Sequence, residues 1–196
     1  MTYNKKDHYY HLAKEEGYLA RSAYKLQEIQ KKFRVLNRGA KVLDLGCAPG
    51  AWSQVALETI HNEGYLVGID LEPVELTARN ARFITRDAFA LKEKDLTDAP
   101  FDCILSDMAP KTSGIKIRDQ ARSAELCEKA LEVSQKFLKP GGHLVMKLFE
   151  GEDAIALEKE IAKHFEELKR FRPQSTRKAS VEVYLVALRK KVPQAV

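Results

Sequence analysis

The chain has 196 residues, 44% hydrophobic and 31% charged, with 33 Lys/Arg against 28 Asp/Glu and a formal net charge of +5. That length suits one domain with a sizeable core, and the balance excludes a disordered or fibrous chain. No apolar run is long enough to cross a bilayer, and the polar start MTYNKKDHYYHL does not read as a signal peptide, so a cytoplasmic protein without membrane partners is expected.

Cys47, Cys103 and Cys127 are odd in number and lack metal-type C-x-x-C spacing, so they read as small buried thiols; neither a disulfide framework nor a zinc site is expected. The charge itself is uneven. Residues 1–41 hold ten Lys/Arg against four Asp/Glu and residues 167–196 hold eight against two, whereas the middle holds fifteen against twenty-two. Two basic arms around an acidic middle are a footprint for phosphate backbones, and equally a set of solvated lysines.

In chain order, KKDHYYHLAKEEG at 5–17 is a short helix or an arm. RSAYKLQEIQKKF at 21–33 sets Ala23, Leu26, Ile29 and Phe33 on one helical stripe, which leaves Lys25 either solvated or aimed into a site beside a sheet. Val42–Leu45 reads as a buried strand. Gly46, Pro49 and Gly50 then force a tight turn, and Trp52, Val55, Ala56 and Ile60 recur at helical spacing. Strand, glycine turn and helix together make a nucleotide cradle, because a turn without Cβ atoms lets backbone approach a ligand and the following helix presents its first N–H groups.

Tyr65–Ile69 is a second strand ending in Asp70. An acidic residue about twenty positions beyond the glycine turn is where a Rossmann-type domain accepts hydrogen bonds from ribose hydroxyls. A short crossover over Glu72–Ala81 leads to a third strand, Arg82–Thr85, which delivers Asp87 as an acceptor for an adenine amino group or as a turn aspartate. Phe101–Ser106 is a fourth strand ending in Asp107, at the strand ends where ligands of open parallel sheets sit. Met108–Asp119 is a covering loop, Asp119–Leu138 an amphipathic helix closed by Lys139-Pro140-Gly141-Gly142, and His143–Met146 a fifth strand that delivers Lys147. A helix over Asp153–Phe165 and two strands, Glu167–Phe171 and Val181–Leu188, complete the chain as an antiparallel hairpin around the basic turn PQSTRK. The expected organisation is a single domain over 1–196, with a basic N-terminal arm and helix at 1–34 and a frayed tail at 189–196.

A sheet of this order, with one ribose reader and no second glycine fingerprint, suggests a single nucleoside-type ligand, for which S-adenosyl-L-methionine is the natural candidate. The words ARSAYKLQEI at 20–29, DLGCAPGAWSQ at 44–54, SDMAPKTSG at 106–114, LKPGGHLVMKLFEG at 138–151 and RKASVEVYLVA at 177–187 resemble the FtsJ/RrmJ family of RNA ribose 2′-O-methyltransferases, collinearly over nearly the whole chain. The resemblance implies an α/β, Rossmann-like methyltransferase fold with a mostly parallel seven-stranded sheet, an antiparallel last strand and helices on both faces. It carries the family's Lys-Asp-Lys-Glu tetrad onto Lys25, Asp107, Lys147 and Glu182, and its S-adenosylmethionine contacts onto Gly50, Trp52, Asp70, Asp87 and Asp107, with no metal. Lys111 stands where family members often carry Asn, and Cys47 and Ala51 replace small residues of the turn.

A ribose 2′-hydroxyl is a poor nucleophile, so a base must take its proton as the new bond forms, and a lysine does so only when neutral. Burial and a second nearby ammonium both favour the neutral form. Lys147 is therefore expected as base, oriented by Asp107, with Glu182 fixing Lys25. Only RNA offers the 2′-oxygen. The basic arms would hold phosphates, and Tyr9, Tyr10 or Tyr18 could stack on a base. The SDMAP wording and compact length resemble the bacterial large-subunit branch and imply a ribosomal RNA substrate, as a uridine of the large subunit; a monomer is expected, although nothing in the sequence fixes the oligomeric state. Transfer RNA or cap methylation, a non-catalytic RNA-binding assembly factor, and a small-molecule or protein methyltransferase are the alternatives.

Overall fold

A computed structural model describes residues 7–192. Seven strands form one sheet: β1 Lys41–Leu45, β2 Tyr65–Asp70, β3 Ala81–Thr85, β4 Phe101–Ser106, β5 Leu138–Phe149, β6 Phe165–Phe171 and β7 Glu182–Lys190. Their order is β3-β2-β1-β4-β5-β7-β6, with every pairing parallel except those of β7, which runs antiparallel to both neighbours. The expected Rossmann-like sheet therefore forms, with its single reversed strand inserted between β5 and β6.

Side-chain alternation along the strands sorts the core into two layers. Leu43 and Leu45, Ile104, Leu144, Met146 and Leu148, and Val183, Leu185 and Ala187 face the helices α4 Lys116–Phe137 and α5 Ala154–His164. Val42, Cys103 and Leu105, Val145, and Tyr184, Val186 and Leu188 face α2 Ala23–Phe33 and α3 Ala51–Ile60. Burying each such aliphatic side chain contributes about 1.5–3 kcal/mol, so the sheet is held from both sides. The same period of two puts Asp107, one residue past the end of β4, on the α2–α3 side with Cys103 and Leu105, and Lys147, inside β5, there with Val145. Glu182 joins them with Tyr184.

The N-terminal segment forms α1 His8–Glu16, closed at Gly17, whose left-handed φ of 78° lets its N–H reach the Ala13 carbonyl. Residues 1–6 and 193–196 lie outside the described residues. No helix among the described residues is long and apolar enough to cross a membrane.

Several boundaries differ from those the sequence suggests. The β2–β3 connection carries no helix. Helix α4 begins at Lys116 rather than Asp119, because Asp119 lies inside its first turn and accepts from Ser113 N–H and Oγ–H and from Gly114 N–H, thereby securing the preceding loop. Those bonds to Ser113 hold its carboxyl below the usual range. Lys139–Gly142 is part of β5 rather than a turn: Leu138 pairs with Phe101, and a register shift between Phe101 and Cys103 absorbs the irregularity. The frayed tail expected from residue 189 also needs correction. Strand β7 continues to Lys190, whose buried ammonium donates to the carbonyls of Ser134, Gln135 and Leu138 at 2.8–2.9 Å.

Candidate active site

At the carboxyl ends of β1, β2 and β4 the chain leaves a cavity of about 290 Å³. Gly46 opens it. With φ at 73° and Met108 so close that a Cβ at Gly46 would lie 2.7–2.9 Å from it, only glycine lets the first turn pass the chain after β4. Asp70 and Asp87 stand on the rim. Asp70 accepts from the Ala48 and Glu72 N–H groups, both at 2.9 Å, which ties the glycine turn to the end of β2. Asp87 accepts from Phe89 N–H at 2.9 Å and so is a turn cap as well as a cavity carboxylate. Leu71 and Phe89, 65% and 52% exposed, add apolar flanks beside these carboxylates.

Gly50 and Trp52 do not line this cavity. Gly50, with φ at 117°, starts α3 beneath Leu19, Val74 and Leu76. The Trp52 side chain is buried: its indole N–H donates to Ser22 O at 2.9 Å and its ring lies 5.5 Å from that of Tyr184. What these two residues can offer a ligand is the backbone of the α3 N-terminus, where the first turn has no intrahelical acceptors. Cys47 packs beneath Gly68 on β2, and burial pushes its thiol well up, so it serves as a small core residue.

Asp107 lines the cavity from one side and begins a polar cluster on the other. Lys147, 7% exposed, donates Nζ to the Asp107 carbonyl at 2.5 Å and to its Oδ1 at 3.0 Å. The same Oδ1 accepts from Tyr184 Oη at 2.9 Å. Tyr184 sits directly across the β5–β7 ladder from Lys147, and Glu182 across from Phe149. Glu182 pairs with Lys25, each side chain 13% exposed, and Lys25 Nζ lies 5.9 Å from the Tyr184 ring centroid. Lys25, Asp107, Lys147 and Glu182, drawn from α2, β4, β5 and β7, thus meet around one tyrosine.

Tyr184 is the member that sequence reasoning passes over, although it stands one strand period after Glu182. Burial, the nearby Asp107 and Glu182 carboxylates, and the bond it donates to Asp107 all push its hydroxyl well above the ordinary value, so it acts as a fixed donor. Asp44, also passed over, is fully buried behind the glycine turn and accepts from Ser53 Oγ at 2.7 Å. Of the three tyrosines considered for base stacking, Tyr18 is engaged by Glu58 and Gln27, and Tyr9 packs on Tyr24 at 5.3 Å. Tyr10 is 40% exposed.

Comparison with known proteins follows the same outline. A family model described as FtsJ-like methyltransferase matches residues 18–190. The chain is 48% identical to the ribosomal RNA large subunit methyltransferase E of Bdellovibrio bacteriovorus, over 97% of this chain and 100% of that one. It is 45% identical to the protein of the same name from Syntrophobacter fumaroxidans, over 96% and 98%. A crystal structure of a Plasmodium falciparum protein described as a ribosomal RNA methyltransferase superposes with a TM-score of 0.78 at 28% identity, covering 90% of this chain and all of that one.

Proposed function

The chain belongs to the FtsJ-like methyltransferase family, and on that premise we propose that it methylates the 2′-oxygen of a ribose in large-subunit ribosomal RNA, with S-adenosylmethionine as methyl donor. The fold, the family and relatives named for ribosomal RNA methylation support the reaction. The observation that carries the site assignment is the shared Asp107, which faces a carboxylate-rimmed cavity on one side and holds a buried lysine on the other.

The cavity suits a nucleoside. Asp70 and Asp87 offer acceptors for sugar hydroxyls and an amino group, Leu71 and Phe89 offer apolar contact, and about 290 Å³ is near the lower end of small-molecule sites. S-adenosylmethionine supplies a sulfonium methyl that is transferred by in-line displacement. Asp107 accepts from both Lys147 and Tyr184, which fixes the direction of the Lys147 amine. Lys147 takes the 2′-hydroxyl proton, while Lys25, held by Glu182, positions the ribose. Holding nucleophile and carbon at about 3–3.5 Å is the larger part of the task.

The fold also brings the two basic arms together. Glu28 on α2 accepts from the Gln174 and Ser175 N–H groups, and beside that seam runs a groove of about 670 Å³ whose lining includes Tyr9, Lys31, Lys32, Phe171 and Arg172. Lys32 Nζ lies 4.6 Å from the Phe171 ring centroid. Cations interleaved with aromatic faces suit a phosphate strand with exposed bases.

General acid–base help is worth about 10²–10⁴-fold, so Lys147→Ala should lose turnover by about that factor while binding S-adenosylmethionine as the parent does in calorimetry. Ribose methylation mapped on large subunits from cells lacking the gene gives the substrate directly. Near-parental methylation by Lys147→Ala would remove Lys147 from the chemistry.

A further inference from the structure

A second cation-rich cleft, of about 560 Å³, opens beside the Lys25–Glu182 pair; Arg21, Arg177 and Ser180 also line it. Arg21 stands four residues before Lys25 at the entry to α2, and Arg177 lies in the loop before β7. One carboxylate joins the two arginines: Asp7 Oδ2 accepts from Arg21 Nη1 and, at 3.0 Å, from Arg177 Nε. Arg21 donates its other Nη2 to the Ser175 carbonyl, while its buried Nε has no acceptor among the described residues.

Two guanidinium groups converging on one carboxylate oxygen reproduce the way arginines hold a phosphate oxygen. We infer that Arg21 and Arg177 form a phosphodiester subsite for the substrate strand, and that Asp7 occupies it until an RNA phosphate takes its place. This rests on the RNA reading above and deepens it. The residues that hold the phosphate lie beside Lys25, since Arg21, Arg177 and Lys25 line the same cleft. The phosphate bound there therefore belongs to the modified nucleotide or its neighbour. Burial works against ionisation of Asp7, but Arg177, the Tyr10 N–H and Arg21 outweigh it and hold the carboxyl below its ordinary range, so the subsite already selects an anion. Exchange is cheap because the pairs are partly exposed, with side chains 15–31% accessible, and the incoming phosphate restores the same contacts.

Asp7 also caps α1 through Oδ1, which accepts from Tyr10 N–H at 3.1 Å. The decisive variant is therefore Asp7→Asn, which keeps a good cap and withdraws the charge. With polyuridylate as probe at low salt, Asp7→Asn should bind about two- to fivefold more tightly than the parent. Arg21→Gln and Arg177→Gln should each weaken binding and lower the slope of log K against log salt by about one. S-adenosylmethionine affinity stays at the parental value in all three. If Asp7→Asn melts early, Asp7→Ser, another capping residue, carries the same expectation. Unchanged or weaker polyuridylate binding by the folded Asp7 variant, or unchanged salt slopes in both arginine variants, overturns the inference. Failure of the parent to methylate large-subunit RNA overturns the function proposed above instead, and leaves the polyuridylate comparison to decide the subsite.

Discussion

Asp44 lies at 0% exposure on the α3 side of β1, with Ser53 donating to Oδ2 and no partner for Oδ1 among the described residues. Burial pushes its carboxyl up to about 7; Asp107 and Asp70 add to the rise and Ser53 opposes it. The folded chain thus binds this proton more tightly than the unfolded chain, whose value is near 3.9. Stability from this group is greatest below pH 4, falls as pH rises towards 7, and changes no further above that. Asp44→Asn, which keeps an acceptor for Ser53, should remove that slope. Unfolding free energies by urea at pH 4, 5.5 and 8 should show the variant gaining on the parent by up to a few kcal/mol across the window; parallel curves would contradict the assignment. At this scale the legible residues are those whose charge interrupts an apolar run, as Asp107 does just past the end of β4 and Lys147 does within β5. Asp44 was hidden because it lies within the strand, where one carboxyl among Val42, Leu43 and Leu45 carries no mark of the buried Ser53 beneath it. Asp7 and Arg177 were hidden because 170 residues separate them and only the fold makes them neighbours.

Among the elements, the junction of α4 and β5 depends on the last residue of the neighbouring strand β7. Lys190 answers three carbonyls at the close of α4, where a helix runs out of internal donors, although burial pulls its ammonium below the ordinary lysine value. Lys190→Met would leave those carbonyls buried without a donor and should cost about 2–4 kcal/mol in a urea titration, with methyl transfer per folded molecule retained. An unchanged midpoint would mean that water replaces the amine. Strands β1, β2 and β4 were legible as apolar runs because parallel strands are buried on both faces. The start of β5 was not, since Lys139-Pro140-Gly141-Gly142 has turn chemistry and is drawn into the sheet only by Leu138 pairing with Phe101. The end of the last strand is hidden for a similar reason: Arg189 and Lys190 look solvated until Glu166 and Glu167 and the α4 carbonyls meet them.

Across the whole molecule, uneven charge in the sequence becomes a surface. The fold sets α2 against the loop before β7, so Arg21, Lys31, Lys32, Arg172 and Arg177 share one side. RNA affinity should therefore fall steeply with salt, and Lys31→Gln/Lys32→Gln should reduce the slope by about two with little change in turnover at saturating RNA; a flat salt response in the parent would exclude this face. Composition made two basic arms legible, but not that they meet, because their meeting is made by Glu28 and a turn 146 residues away. The insertion of β7 between β5 and β6 has a further result for how the molecule matures. A nascent polypeptide that has emerged as far as Ser180 already carries Lys25, Asp107 and Lys147, yet it lacks Glu182, Tyr184 and the strand that seals the β5 edge. Methylation competence should accordingly switch on in one step once β7 has emerged and that edge is zipped shut, and ribosome-stalled chains released before and after residue 190 would show it as silence followed by full activity.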